Sequence, residues 1–266
     1  MKPEEIFKVH PIANTGFSRT YIVEGRSSLM AVDVGSIGAA RDIEEYITGK
    51  LGRSLKDLQY ITATHFHIDH IGGIGYLIDK CSTTTKVLFN YRIADYLSGK
   101  KKISLIRNWF SGLMPASVAS ARHVRRLSHL GFMNLAGIPL PGFRNFVNLP
   151  FETKKIHYIG GNGKRRYSLG FENWEVLETP GHTEDSVSFF SEKTGELICG
   201  DLIINISKGG PGRLNRFYWR KDIIQDSFNY LCDTIKPVII YPGHGDIIRD
   251  RGNALLCVDT FDRKTG

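Results

Sequence analysis

The sequence predicts an α/β layered fold, on three observations. Apolar, β-branched runs alternate with stretches of helical spacing through the first ninety residues. A clear hairpin occupies 186–201, two strands joined around Lys193-Thr194-Gly195. The residues able to do chemistry fall at the ends of strands, where an open α/β sheet forms its crevice.

TYIVEG (20–25) and SLMAVDVG (28–35) read as strands separated by the turn Gly25-Arg26-Ser27. Residues 37–50 place Ile37, Ile43 and Ile47 near helical spacing, with Gly49 as a stop. LQYITATH (58–65) is a strand ending in a histidine-rich turn, GIGYLIDK (73–80) a helix and TKVLFN (85–90) a strand. From about 91 to 147 the texture changes to a helical insertion: RIADYLSG, ISLIRNWFSGLM and SVASARHVRRLSHLGFM all read as helix. HYIGG, RRYSLGF and WEVLETPGH then resume short strands with glycine-rich turns. WRKDIIQDSFNYLCDTI (219–235) is a helix ended by Pro237, and VIIYPGHGD (238–246) the last strand. No internal repeat or linker divides the chain, so 1–266 reads as one domain carrying the insertion.

At 266 residues, with 41% hydrophobic and 23% charged, the chain is long enough for a sizeable core and too apolar for disorder. No window approaches 18 uninterrupted apolar residues, and the N-terminus lacks the apolar run of a secretory signal. Cys81, Cys199, Cys232 and Cys257 are widely spaced, as expected of reduced thiols in the cytoplasm rather than a disulfide framework. The net charge of +8 is uneven: residues 86–170 hold fifteen Lys or Arg against two acids, a net of +13 that leaves −5 elsewhere. Such an asymmetry points to an anionic partner or to a solvated basic face.

The chemistry concentrates in His65-Phe66-His67-Ile68-Asp69-His70. Continued along the strand, side chains at 65, 67 and 69 share one direction, and His70 approaches the same space from the other side. Three imidazoles and a carboxylate within six residues suit zinc or another borderline divalent ion. Two further histidines, His182 and His244, each follow a Pro-Gly turn after a strand, and Asp201 ends a third strand in Cys199-Gly200-Asp201.

That ordered set, His65-x-His67-x-Asp69-His70, His182, Asp201 and His244, with the early strand ending Val32-Asp33-Val34-Gly35, resembles the metallo-β-lactamase superfamily of metal-dependent hydrolases. The resemblance implies an αββα sandwich, two mixed sheets face to face with helices outside. It implies that His65, His67 and His182 hold one metal, that Asp69, His70 and His244 hold a second, and that Asp201 bridges them. Asp33 matches the family's buried carboxylate that steadies the histidine loop. The implied cofactors are two divalent ions, zinc first, with iron or manganese acceptable to the same ligands. Two metals about 3.5–4 Å apart share a hydroxide of lowered pKa that attacks a carbonyl or phosphoryl centre. Asp69 is then the residue placed to carry a proton to the leaving group.

Within the superfamily, the chain differs from β-lactam-hydrolysing members, which usually have a cysteine where Asp201 stands. It differs from lactonases in having Ile204 where they often have a tyrosine. Thioesterases of the glyoxalase II type carry a further helical domain, whereas this sequence ends 22 residues after His244. The expectation is cleavage of an ester or thioester bond in a small anionic substrate. The alternatives are a phosphodiesterase or nuclease, a lactonase, and a non-enzymatic metal-binding module. The insertion lies in the 112-residue gap between His70 and His182, so it is expected beside the metal cleft. Trp109, Phe110, Met114, Phe132 and Met133 then line an acyl pocket and Arg122, Arg125 and Arg126 grip an anion. Gluing to the sandwich, a homodimer contact or an anionic membrane surface are the other uses of the same residues. Its scattered cations suit nucleic acid poorly, since a continuous basic stripe with stacking aromatics is absent.

Overall fold

A computed structural model of the protein describes residues 8–12, 18–101, 126–133, 149–206 and 210–262. Six strands form the first sheet: β1 (Lys8–Pro11), β2 (Tyr21–Glu24), β3 (Leu29–Val32), β4 (Leu58–Thr62), β5 (Lys86–Asn90) and β6 (Ile156–Ile159), in chain order. β1 to β3 are antiparallel, and β3 to β6 run parallel. The second sheet uses β7 (Arg166–Phe171), β8 (Trp174–Glu178), β9 (Val187–Ser191), β10 (Glu196–Gly200), β13 (Ile239–Pro242) and β14 (Ile248–Arg249), in the order β14-β13-β10-β9-β8-β7. A small third sheet joins β11 (Ile203–Ile204), β12 (Gly212–Leu214) and β15 (Val258–Asp259).

Period-two alternation sorts each strand into two of three cores. Tyr21, Val23, Met30 and Val32 from the first sheet meet Trp174, Val176, Phe189 and Ile198 from the second in a central core. The residues between them face outward. Ile22, Leu29 and Ala31 pack under the helices α1 (Ile37–Glu45) and α3 (Ile74–Ile78). Phe190, Leu197 and Cys199 pack under the long helix of 221–234. The layers are therefore helix, sheet, sheet, helix, the sandwich that the ligand pattern implied. Burying one large apolar side chain is worth roughly 1.5–3 kcal/mol, so a one-residue slip of β9, which would exchange Phe189 and Phe190 between cores, is opposed on both faces.

Three local expectations change. The strand before the histidines stops at Thr62, three residues earlier than the motif, because the chain turns into the short helix α2 (Ile68–Ile71). Only part of the 91–147 insertion falls among the described residues: α4 (Ile93–Leu97), then 126–133, where one 3-10 turn at Leu127–Leu130 replaces the expected α-helix. Arg126 is extended there, and the Met133 amide donates to Gly72 O at 2.8 Å, so docking against the histidine loop overrides helical propensity. Finally, β13 is not the last strand, since β14 and β15 follow it. The helix expected at 219–235 is α5 (Lys221–Thr234), with Ile224, Phe228 and Leu231 buried along one face.

Candidate metal centre

All seven predicted ligands converge where strand ends from the two sheets meet. β4 runs into the loop carrying His65 and His67, and α2 presents Asp69 and His70. The turn after β8 carries His182, the end of β10 carries Asp201, and the turn after β13 carries His244. His65 Nε2 lies 2.9 Å from His67 Nδ1, and His182 Nε2 is 3.2 Å from each of those nitrogens. On the other side, His244 Nε2 is 3.4 Å from Asp69 Oδ2, and His70 Nε2 is 3.8 Å from the same oxygen. Asp201 stands between the two groups: Oδ2 is 3.5 Å from His182 Nε2 and 3.3 Å from His244 Nε2, while Oδ1 is 3.6 Å from His70 Nε2. The ligand atoms of His65, His67 and His182 lie within 4.8 Å of one another, as do those of Asp69, His70 and His244.

The electrostatics are those of a buried cluster of opposed charges. Burial holds His65 and His67 below the usual histidine range, His67 down to about 3, and neighbouring imidazoles add to the effect. Burial opposes the charge on His70 too, but Asp33, Asp69 and Asp201 outweigh it and push its pKa up to about 9. His244 is raised in the same way by Asp201 and Asp69. Burial disfavours charge on Asp69 and Asp201 as well, yet the histidines around them hold both well below the usual carboxylate range. His70 Nε2 and Asp201 Oδ1 are buried with no hydrogen-bond partner among the described residues. Buried polar atoms are ordinarily paired, so imidazole nitrogens and carboxylate oxygens left facing one another fit divalent cations.

A surrounding layer orients the cluster. Asp33, fully buried and at φ +59°, accepts the Thr64 amide at 2.7 Å through Oδ1 and sets Oδ2 3.0 Å from His70 Nδ1. His182 Nδ1 lies 2.5 Å from Phe217 O, which orients that ring. Sequence reasoning missed Asp185, whose carboxylate accepts the Phe66 amide at 2.8 Å between the first two histidines. It also missed Asn215, 3.4 Å from Asp201 Oδ2, and Ser18, whose hydroxyl donates to Asp69 O. Asp185 lies three residues after His182 in His182-Thr183-Glu184-Asp185, the one local signal available.

Trp109, Phe110, Met114, Arg122 and Arg125 lie outside the described residues. Arg126 is described, and its guanidinium pairs with Glu45 at 2.9 Å and Asp42 at 3.4 Å on α1. Phe132 lies against Gly72, and Met133 is exposed beside Gly75. At the other flank of the insertion, Lys101 pairs with Glu184 and Tyr96 donates to it at 2.9 Å. All four cysteines are free. No helix among the described residues is long and apolar enough to cross a membrane.

Comparison with known proteins places this architecture. The metallo-beta-lactamase superfamily profile matches residues 13–88. The probable metallo-hydrolase YqjP of Bacillus subtilis is 26% identical over 245 residues, 86% of this chain and 67% of that protein. A hydroxyacylglutathione hydrolase of Hahella chejuensis is 37% identical over 90 residues, 32% of each chain. The chain thus spans about two thirds of the first relative's length and a third of the second's. The crystal structure of the B3 metallo-beta-lactamase BLEG-1 superposes with a TM-score of 0.58 at 18% identity, covering 92% of this chain and 94% of that one, which establishes a common fold.

Proposed function

We propose that the chain is a metallo-β-lactamase-superfamily enzyme, a binuclear metal-dependent hydrolase that cleaves a thioester or carboxylic ester of a small anionic substrate. The observation that carries the reading is Asp201. One of its oxygens faces His182 of the first ligand group and His244 of the second, at 3.5 and 3.3 Å, as a shared ligand must. His65, His67 and His182 would hold one ion and Asp69, His70 and His244 the other, and this imidazole and carboxylate donor set suits zinc.

Bound there, the pair would supply Lewis acidity and activate water for attack on the acyl carbon. The chain's own contribution is positional. Asp33 and Asp185 hold the histidine loop by its backbone, so the imidazoles need not reorganise during reaction. Burial of His65, His67, His70 and His182 keeps competing water away. Asp69 has the most exposed side chain of the ligand set, 22%, so its carboxylate is the group assigned to pass a proton to the departing thiolate or alkoxide.

The similarity to a hydroxyacylglutathione hydrolase supports a thioester. A nuclease is disfavoured because several described cations of the basic region already face carboxylates: Lys101 on Glu184, Arg126 on Glu45, Lys154 on Glu152 and Arg166 on Glu175. The four free cysteines support action in a reducing cytoplasm. Elemental analysis of purified protein, followed by thioester, lactone, phosphodiester and β-lactam substrates, tests the reading. Two equivalents of metal with fastest turnover on a thioester or ester is the expected result. One equivalent, or turnover confined to phosphodiesters, overturns it.

A further inference from the structure

A second site lies beside the strand that delivers His182. Tyr91, Arg92, Gly161, Gly163, Lys164, Arg165, Glu178 and Pro180 line a cleft of about 410 Å³. Its three cations outnumber the two carboxylates that pair with them, Glu178 in the cleft and Asp226 beside it, so the excess positive charge sits on Lys164. Two of the cations are held in place: Arg92 pairs with Glu178 at 2.7 Å and lies over the Tyr91 ring at 4.9 Å, and Arg165 is clamped by Asp226 at 2.9 Å and lies over Tyr230 at 4.1 Å. The third, the Lys164 ammonium, has no partner among the described residues. Held guanidiniums beside an uncommitted ammonium form a preorganised oxyanion receptor.

The backbone adds to it. Gly160, Gly161 and Gly163 take φ of 85°, 81° and 76°, a conformation that side chains disfavour. A Cβ on Gly161 would also press on the Tyr91 ring at 3.1 Å. No acceptor among the described residues takes the amides of Gly161, Asn162 or Gly163. Exposed amides on a tight glycine turn form a concavity suited to anions. The turn is fastened to the metal-bearing strand, since the Glu178 amide donates to Arg165 O at 2.8 Å and Arg165 Nε donates to Glu178 O at 3.2 Å. Pro180 stands two residues before His182, at most about 7 Å of extended chain.

We propose that this cleft binds the distal oxyanion, phosphate or carboxylate, of the thioester substrate while its acyl bond lies at the metal centre, a proposal that rests on the thioesterase reading above. The test uses Lys164→Glu in the metal-loaded protein, because Lys164 is exposed and its loss breaks no internal contact. KM and kcat are measured for one acyl group on coenzyme A, on glutathione and on uncharged N-acetylcysteamine. The expected result is a KM ratio, anionic over neutral, that rises roughly tenfold with kcat unchanged, while the same reversal at Lys154, paired with Glu152 elsewhere, leaves the ratio alone. A rise for coenzyme A alone assigns phosphate, and for glutathione alone carboxylate. An unchanged ratio overturns the cleft while the hydrolase reading stands. If no thioester is turned over, that reading fails, and calorimetry with coenzyme A and glutathione decides the cleft separately. Binding weakened about tenfold by Lys164→Glu supports it, and binding that is absent or indifferent to the substitution overturns it.

Discussion

Asp185 and Phe66 are 119 positions apart, yet the Asp185 carboxylate accepts the Phe66 amide at 2.8 Å and so ties the His182 turn to the loop between His65 and His67. The pair makes two loops from different sheets behave as one support for three imidazoles. Removing it with Asp185→Ala strands a buried amide, at a cost of about 1–3 kcal/mol. The measurements are the urea midpoint and the metal content, and both are expected to fall. Unaltered metal content would remove Asp185 from its supporting role.

The same carboxyl has a pH signature. Burial pushes its pKa from the usual carboxylate value up to about 6, against the hydrogen bonds from Thr183 and the Phe66 amide. The folded state therefore holds a proton that the unfolded state has already lost between about pH 4 and 6. Stability contributed by this group declines as pH rises through that window and is level above it. Asp185→Asn abolishes the decline. Comparing urea midpoints of the two proteins at pH 4.5 and 7 reads the difference directly, and parallel profiles would contradict it.

Gly243 marks a point of contact with no room to spare: a Cβ there would lie 2.1 Å from Asp201 Oδ1 and 3.0 Å from His70 Cε1. Gly243→Ala must displace the shared carboxylate. A misplacement of about 1 Å costs roughly a hundredfold in rate, so kcat is expected to fall by about that factor with the circular dichroism spectrum intact. A variant as active as the parent would show that Asp201 tolerates movement.

Asp201→Ala removes the one carboxylate shared by both ligand groups without touching the apolar cores. Losing several kcal/mol of transition-state stabilisation means a drop of about a thousandfold or more in kcat, and metal content is expected below two equivalents. Far-ultraviolet circular dichroism and size-exclusion elution should match the parent. Full activity in this variant would dismiss the bridging role.

The thiols offer an independent check on the packing. Burial pushes the Cys81 thiol up to about 12 and raises Cys199, at the end of β10, further still. Neither forms thiolate at pH 8, so iodoacetamide should leave both unmodified in the native protein and modify both in urea. Peptide mass spectrometry reports the outcome. Rapid native labelling of Cys199 would mean that β10 opens readily.

What the sequence determined by itself was the set of metal-seeking residue types and their grouping along the chain, though not the short helix that presents Asp69 and His70. His65 to His70 form one short motif, and His182 and His244 follow Pro-Gly turns, so local spacing was enough. The apolar runs around Tyr21, Ile22 and Val23, and around Phe189 and Phe190, likewise announced strands, which the structure buries on both faces. Only the tertiary structure decided which group stands where. The position of Asp201 between two ligand sets, the reach of Asp33 to His70 and of Asp185 to Phe66, and the pairing of Arg126 with α1 all join residues far apart in the chain. The basic cleft is of the same kind: Arg92, Lys164 and Arg165 meet because β5 pairs with β6 and Arg165, after the glycine turn, bonds to Glu178. Contacts of that sort follow from sheet pairing and the stacking of two layers, which carry no periodicity along the chain, so a basic composition could announce an anionic partner but not the place where it binds.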